Sequence, residues 1–425
     1  MLTGPNAILT SLTLIILSGC SGGNGGTDSG TSGGTSENGG SDASAPASGT
    51  GTDTLPYGWE APPVMPQVQV IVRGARASSL ALDSTYIYWT DSEPDNSASI
   101  MRAPKTGLAS ATIMASNLGY ISVSNAGYNQ NVVNRIGGIA VGSSNVYWTN
   151  LSEHASIMSI PVSVTSTIVF NGYNGGANIS GDQLATWNVG SYQPEALSSL
   201  VTSGGALYWI ENDDISDYEA KTSIVEMQTT SPYTQRTYSS DSSSLTETVG
   251  LGGYSNMNNF ANFAVDSLSG FLFWINPGPS SWFQCYGCGQ IVKLAMTYLG
   301  TSATTDSLPT VVTASSIRSF VIDSASGTLY GITPVDPTSG YASVMAISEV
   351  GGAATVLATT TQEPAGIAID ATDVYWTQAD GVMTVPKTGG SVAVVSDGAA
   401  SVIVADSTGV YWNSFGYGIG KLAKH

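Results

Sequence analysis

Gly366 to Val385 reads GIAIDATDVYWTQADGVMTV. A short β-branched segment (GIAID), a polar turn, the aromatic pair Tyr375-Trp376 and a second β-branched segment (GVMTV, from Gly381) follow one another with room for nothing but tight connections. Ile367 and Ile369 alternate with Gly366 and Ala368, so the first segment has one large face and one small one, the period of an extended strand. A further Thr/Val-type segment, VAVV from Val392, completes the unit.

Working outward, the unit recurs along the chain. Tyr88-Trp89, Tyr147-Trp148, Tyr208-Trp209, Phe273-Trp274 and Tyr411-Trp412 repeat the aromatic pair, and Tyr330-Gly331 is a degenerate copy. Segments such as SLALD, GIAVG, NFAVD and SFVID precede most pairs. Downstream lie SIMRA from Ser99, SIMSI from Ser156, SIVEM from Ser223, QIVKL from Gln290, SVMAI from Ser343 and GIGKL from Gly418. The Thr/Val segment recurs as TIMA from Thr112, TIVF from Thr167, TVVT from Thr310 and TVLA from Thr355. Each unit therefore predicts four antiparallel strands, and the whole predicts an all-β, seven-bladed β-propeller at roughly 51 residues per blade. The last unit stops after its third strand near Leu422, whereas VQVIV from Val68 is a strand without a unit. Pairing the N- and C-terminal strands would close the ring and remove open sheet edges.

Tyr88-Trp89-Thr90-Asp91 spells in full the tetrapeptide of the YWTD-type propellers, and the chain resembles these and the related NHL-like propellers from about Gln67 to its end. Elsewhere the last two letters change, to Thr149-Asn150, Ile210-Glu211, Ile275-Asn276, Thr377-Gln378 and Asn413-Ser414. The resemblance implies a fold; propellers of this shape serve as receptors, adaptors, lyases and lactonases. A pair repeated at a fixed strand position reads as core, and Asp83, Asp266, Asp323, Asp370 and Asp406 read as turn carboxylates that accept backbone N–H groups.

The ends and the composition bound the function. Residues 1–19 carry no charged side chain, and the apolar run Ile8–Leu17 has the length of an export-signal core. Leu17-Ser18-Gly19-Cys20 resembles the lipobox of bacterial lipoproteins, which implies cleavage before Cys20 and its lipidation; the run lacks the usual basic n-region. Ser21, rather than Asp, implies sorting to the outer membrane under the Gram-negative rule. Residues 20–66 then form a Gly/Ser-rich tether, stiffened by Pro56, Pro62, Pro63 and Pro66, with residues 67–425 as the propeller. The net charge of −19, from 12 Lys+Arg against 31 Asp+Glu, argues against nucleic acid and against membrane contact beyond the anchor, and 50 Gly with 18 Pro argue against a helical bundle. The expected form is a monomer in the cell envelope.

Insertions that break the repeat fall in two connection classes that emerge on one face of the disc. Ser116–Arg135, Asn171–Glu195 and Ser239–Asn259 link blades; Glu211–Lys221, Asn276–Gly289 and Thr333–Tyr341 link second to third strands. They carry rings suited to protein or glycan recognition: Tyr120, Tyr128, Tyr173, Trp187, Tyr192, Tyr254, Trp282, Phe283 and Tyr286. Cys285 and Cys288 form a CxxC that reads as a disulfide in an exported chain. Asp213, Asp214, Asp217 and Glu219 gather oxygen ligands that would suit calcium, though without EF-hand spacing, and a solvated acidic loop is the alternative. Arg76, Arg135, Glu195, Asn259 and Glu363 precede first strands, at the expected mouth of the channel. Lactonase-like propellers place calcium there with Glu, Asn and Asp ligands, a role that the two arginines oppose. With His154 and His425 the only histidines, a histidine-ligated metal or a Ser-His-Asp triad has little support.

Overall fold

The computed structural model describes residues 68–92, 98–108, 110–118, 120–125, 128–133, 135–151, 155–169, 183–186, 196–197, 200–216, 219–229, 235–239, 262–276, 288–296 and 310–424. They build seven antiparallel sheets. Blade 1 runs Ala77–Leu82, Tyr86–Ser92, Ala98–Pro104 and Thr112–Leu118; blade 2 runs Arg135–Val141, Asn145–Leu151, Ala155–Pro161 and Gln183–Thr186. Blade 3 comprises Val201–Ser203, Ala206–Ser216, Glu219–Gln228 and Gln235–Ser239, with Ala196–Leu197 extending its first edge. Blade 4 has Phe263–Asp266, Phe271–Asn276, Gly289–Ala295 and Thr310–Ile317, and blade 5 has Ser319–Asp323, Thr328–Ile332, Ala342–Ser348 and Thr355–Thr360. Blade 6 has Ile367–Ile369, Asp373–Gln378, Gly381–Pro386 and Ala393–Asp397. Blade 7 takes Ala400–Asp406, Gly409–Ser414 and Gly418–Ala423 from the C-terminal end and Val68–Arg73 from the N-terminal side, in the register Val68↔Leu422. The first strand of each blade lies against the first strand of the next, from blade 1 round to blade 7 and back to blade 1, so the ring is closed.

Each letter of the repeated tetrapeptide has a physical task. The tryptophans Trp89, Trp148, Trp209, Trp376 and Trp412 are fully buried between sheets. Their indole N–H still needs an acceptor, and the residue two places on supplies it: Asp91 Oδ2 for Trp89 and Gln378 Oε1 for Trp376, both at 2.8 Å. Gln378 thus replaces the aspartate without loss of function, while in blade 7 Tyr417 Oη accepts from Trp412. The third letter ties neighbours together, as Thr377 Oγ1 donates to Ser401 O of blade 7 at 2.8 Å. The tyrosine O–H reaches back to the turn: Tyr88 donates to Asp83 and Tyr375 to Asp370. Where the pair degenerates to Tyr330-Gly331, Ile317 and Ile347 occupy the room a tryptophan would fill, within 3.4 Å of a Cβ built on Gly331. The small face of the first strands is also explained, because a Cβ on Gly366 would meet Ser401 O at 3.1 Å and Ile403 Cγ2 at 3.2 Å in the narrowing wedge.

The turn carboxylates behave as expected. Asp83 accepts Thr85 N and Tyr86 N, Asp370 accepts Thr372 N and Asp373 N, and Asp406 accepts Thr408 N and Gly409 N. They also join the blades. Lys105 of blade 1 pairs with Asp406 of blade 7, Lys387 of blade 6 with Asp323 of blade 5 at 2.6 Å, and Lys424 of blade 7 with Asp370 of blade 6 at 3.6 Å. Three residues earlier in the same repeat position, Arg102 donates to Val162 O and Val164 O of the next blade. Its counterparts Lys293 and Lys421 donate to Glu349 O and Lys105 O, each at 2.8 Å. Most of these cations lie over a ring: Arg102 over Tyr86, Lys105 and Lys421 over Tyr411, Lys293 over Phe271, Lys387 over Tyr330. Six of the 12 basic residues are therefore inter-blade fasteners.

Three expectations change. TIVF from Thr167 is not the fourth strand of blade 2: Ile168–Val169 pairs parallel to Ala115 and Ser116 on the outer edge of blade 1, and Gln183–Thr186 takes its place. The connection from Pro161 to Gln183 is thus a third-to-fourth-strand link, and Asn171–Glu195, expected to join blades on the loop face, is divided by the strand Gln183–Thr186. Ser116–Arg135 is largely a two-stranded ribbon, Tyr120–Asn125 with Tyr128–Val133, whose alternating polar and β-branched residues fit extended chain. Glu211–Lys221 is mostly the continuation of the blade 3 hairpin, which sets Asp213 opposite Lys221 and Asp214 opposite Ala220.

Candidate binding face

Connections between blades and between second and third strands emerge together, opposite the Asp turns. On this face the ion pair Arg318–Glu363 bridges blades 5 and 6. Arg318 immediately precedes the first strand of blade 5, and Glu363 Oε2 accepts Val335 N at 2.9 Å from that blade's second-to-third connection. Both oxygens of Glu363 thus have partners. Of the other residues expected at the mouth, Arg76 is exposed, with its backbone N–H directed to Asp91 Oδ2 at 3.4 Å, and Arg135 begins the first strand of blade 2. Glu195 and Asn259 lie outside the described residues. Arg318 is the member of this set that sequence reasoning missed; its place directly before SFVID, matching Arg76 and Arg135, was the available signal.

The insertion Thr333–Tyr341 is a folded turn held by Asp336. Its Oδ1 accepts Thr338 N at 2.9 Å, its Oδ2 accepts Ser339 N at 3.3 Å, and its carbonyl accepts Gly340 N at 2.7 Å. The Thr338 amide and the Ser339 hydroxyl hold the carboxyl below its ordinary pKa. This turn presents Tyr341, 52% exposed. In blade 7 the matching connection presents Phe415, 57% exposed, and ends at Gly418, the register partner of the exposed Arg73. Gly418 (φ +105°) allows the Arg73–Arg76 segment to fold over it, since a Cβ there would lie 2.4 Å from Val72 O and 2.8 Å from Gly74 N.

The sequence-predicted rings divide as follows. Tyr120 and Tyr128 each begin a strand of the ribbon, and Asn125↔Tyr128 closes its tip. Tyr173, Trp187, Tyr192, Tyr254, Trp282, Phe283 and Tyr286 lie outside the described residues. Cys288 is buried and disulfide-bonded; Cys20 and Cys285, the chain's other cysteines, lie outside the described residues. Asp213, Asp214 and Glu219 occupy hairpin positions and Asp217 lies outside the described residues. Among the described residues no three His, Cys, Asp or Glu side chains come together as a metal site.

No family model matches the sequence, and no curated protein matches it. Several solved structures are similar to it at low identity. BamB from Moraxella catarrhalis is 10% identical, with a TM-score of 0.45 over 82% of this chain and 85% of that one. The extracellular domain of a hybrid two component system from B. thetaiotaomicron is 11% identical, with a TM-score of 0.48 over 84% of this chain and 39% of that one. The computationally designed Ika8 protein is 8% identical, with a TM-score of 0.44 over 83% of this chain and 99% of that one.

Proposed function

We propose that the chain is an exported, lipid-anchored propeller that acts as a binding or scaffold module, engaging a protein or a cell-envelope glycan through its loop-bearing face. The observation that carries this reading is the asymmetry of the disc. One face uses its charged groups to fasten blades, while the other holds Tyr341 and Phe415 in the open on connections fixed by hydrogen bonds. Rigidly held rings give contact area at little conformational cost. The Leu17–Cys20 motif and the Gly/Ser-rich tether support display from a membrane anchor.

The test is binding of the purified chain to envelope polysaccharide and to solubilised envelope proteins. Phe415→Ser with Tyr341→Ser should weaken capture at least about ten-fold, a loss of roughly 1.4 kcal/mol. Leu268→Ser, on the opposite face, should leave it unchanged; equal sensitivity to both would sink the assignment of the face. Cys20→Ser should move the chain from the membrane to the soluble fraction. A divalent-cation-dependent hydrolase at the channel mouth is the rival reading. Calcium bound to the folded state would raise stability by about 2.7 kcal/mol at one hundred times its dissociation constant. A binding module predicts no such shift between chelator and millimolar calcium, with magnesium as the control.

A further inference from the structure

The outer edge of blade 1 carries an added strand, and the outer edge of blade 5 repeats its sequence without one. In blade 1, Thr112–Ser116 reads TIMAS; Ile168–Val169 pairs parallel to Ala115 and Ser116, and Thr167 Oγ1 donates to Ile113 O at 3.0 Å. In blade 5, Thr355–Thr359 reads TVLAT, matching at every position by identity or close shape. The registers agree as well: Ile100↔Ala115 in blade 1 corresponds to Val344↔Ala358 in blade 5. Yet Thr355–Thr360 ends its sheet among the described residues, with Val356 51% exposed and Thr359 exposed. The reason lies in the next blade. Blade 2 has a long connection after Pro161 that lays a strand on its neighbour, whereas blade 6 turns back through Lys387–Val392 and only brings Gly389 near Leu357.

Natural edge strands are blunted by charge, proline, a bulge or a cover. Thr355–Thr360 has no charged residue and no proline, and its bulge at Leu357 has a counterpart at Met114 in blade 1 that does not keep a strand off that edge. An edge with unused N–H and C=O groups and β-branched side chains favours an extended chain added to the sheet. We propose that the outer edge of blade 5 is a second docking site, distinct from the loop-bearing face, that takes an extended segment of a partner protein. The occupant's chemistry is read from the covered edge: an uncharged strand with successive β-branched residues in the manner of Thr167-Ile168-Val169. The site needs no feature of the loop face, so the two assignments stand or fall separately.

The probe is a fluorescent peptide of residues 163–171, SVTSTIVFN, added to the full chain. Saturating peptide should slow amide exchange across Thr355–Thr360 by about ten-fold or more, the effect of roughly one added hydrogen bond per protected amide. Val356→Lys with Thr359→Lys should weaken binding by about ten-fold while leaving the thermal midpoint unchanged, both positions being exposed. A peptide with prolines at the Ile168 and Val169 positions should not bind. Failure of the parent peptide to bind overturns the proposal, as does protection confined to Thr112–Leu118, which would mean exchange with the chain's own strand. Concentration-dependent self-association that protects Thr355–Thr360 without peptide overturns it in favour of a second copy as occupant.

Discussion

The two faces of the disc are built by different rules. On the turn face, Asp83, Asp370 and Asp406 saturate hairpin amides, and lysines from adjacent blades complete Asp323, Asp370 and Asp406. The exposed large apolar residues there, Leu108, Leu268 and Val350, are single turn side chains on three different blades. On the loop face, the charged groups with partners are fewer among the described residues, and rings stand in solvent. The lesson is that the ring's cohesion and its capacity to bind are assigned to opposite ends of the same strands. In this strongly acidic chain half the cations are placed at seams, where three meet carboxylates and three meet backbone carbonyls of the next blade.

The comparison breaks if fastening does not depend on the turn face. The largest effect should come from Lys105→Met. Lys105 is 3% exposed, and its loss removes the cation bonded to the Asp406 carboxylate while Lys424 still donates to the Asp406 carbonyl; the cost should be about 2 kcal/mol, between that of an exposed and a fully buried pair. Lys424→Met removes a longer ion pair and a bond to the Asp406 carbonyl from a more exposed lysine, and should cost about 1 kcal/mol. Chemical denaturation of both variants checks the ordering, and equal losses would mean that burial does not set the strength of the fasteners.

Acid should loosen the same face. Burial raises the carboxyls of Asp323, Asp370 and Asp406, but bonds from Lys387, from the Asp373 and Thr372 amides, and from Lys105 and Thr408 outweigh it and hold all three below the ordinary value. A depressed folded-state pKa gives stability that is present above the unfolded value of about 3.9 and lost as pH falls through the folded one. The thermal midpoint should therefore be level above about pH 5 and fall below about pH 4. Asp370→Asn with Asp406→Asn should lower the plateau and flatten that fall; an unchanged acid limb would show that other carboxylates govern it. On the loop face, Arg318→Ala removes a partly exposed pair with Glu363 and should cost no more than about 1 kcal/mol.

How much of this was legible in the sequence follows from period and distance. The blades were readable because the Tyr-Trp pair and the flanking β-branched segments repeat at strand spacing, and Val68–Arg73 could be assigned to blade 7 because it had no unit of its own. The turn carboxylates were readable because their hydrogen bonds are local. The fasteners were not, since Lys105 and Asp406 are 301 residues apart and nothing in either neighbourhood marks the other. Even so, the repetition of Pro104-Lys105-Thr106-Gly107 as Pro386-Lys387-Thr388-Gly389 was a signal that one position carried a task. Ile168–Val169 was misplaced for the opposite reason: its local pattern suits a fourth strand, and only the length of the following chain decides which edge it joins. At the candidate face, composition identified ring-bearing connections, but Phe415 sits in a short one and Arg318 in none, so neither broke the repeat.

The smallest effect on stability should come from the residues with the largest effect on binding. Phe415 and Tyr341 project from turns whose geometry is set by other atoms: Asp336 holds one, while the other is held by Gly418 and by the Phe415 amide donating to Ala399 O. Truncating either ring therefore removes contact with solvent and leaves the packing intact, within about 0.5 kcal/mol by denaturation. Gly418→Ala is the sharper counterpart. Its Cβ would sit 2.4 Å from Val72 O at a positive φ, so it should disturb the seam that closes the ring and cost several times more, although it adds a single methyl group. If Phe415→Ser proved as destabilising as Gly418→Ala, the ring would be part of the fold's support, and the division of labour between the two faces would fail where it is most exposed to test.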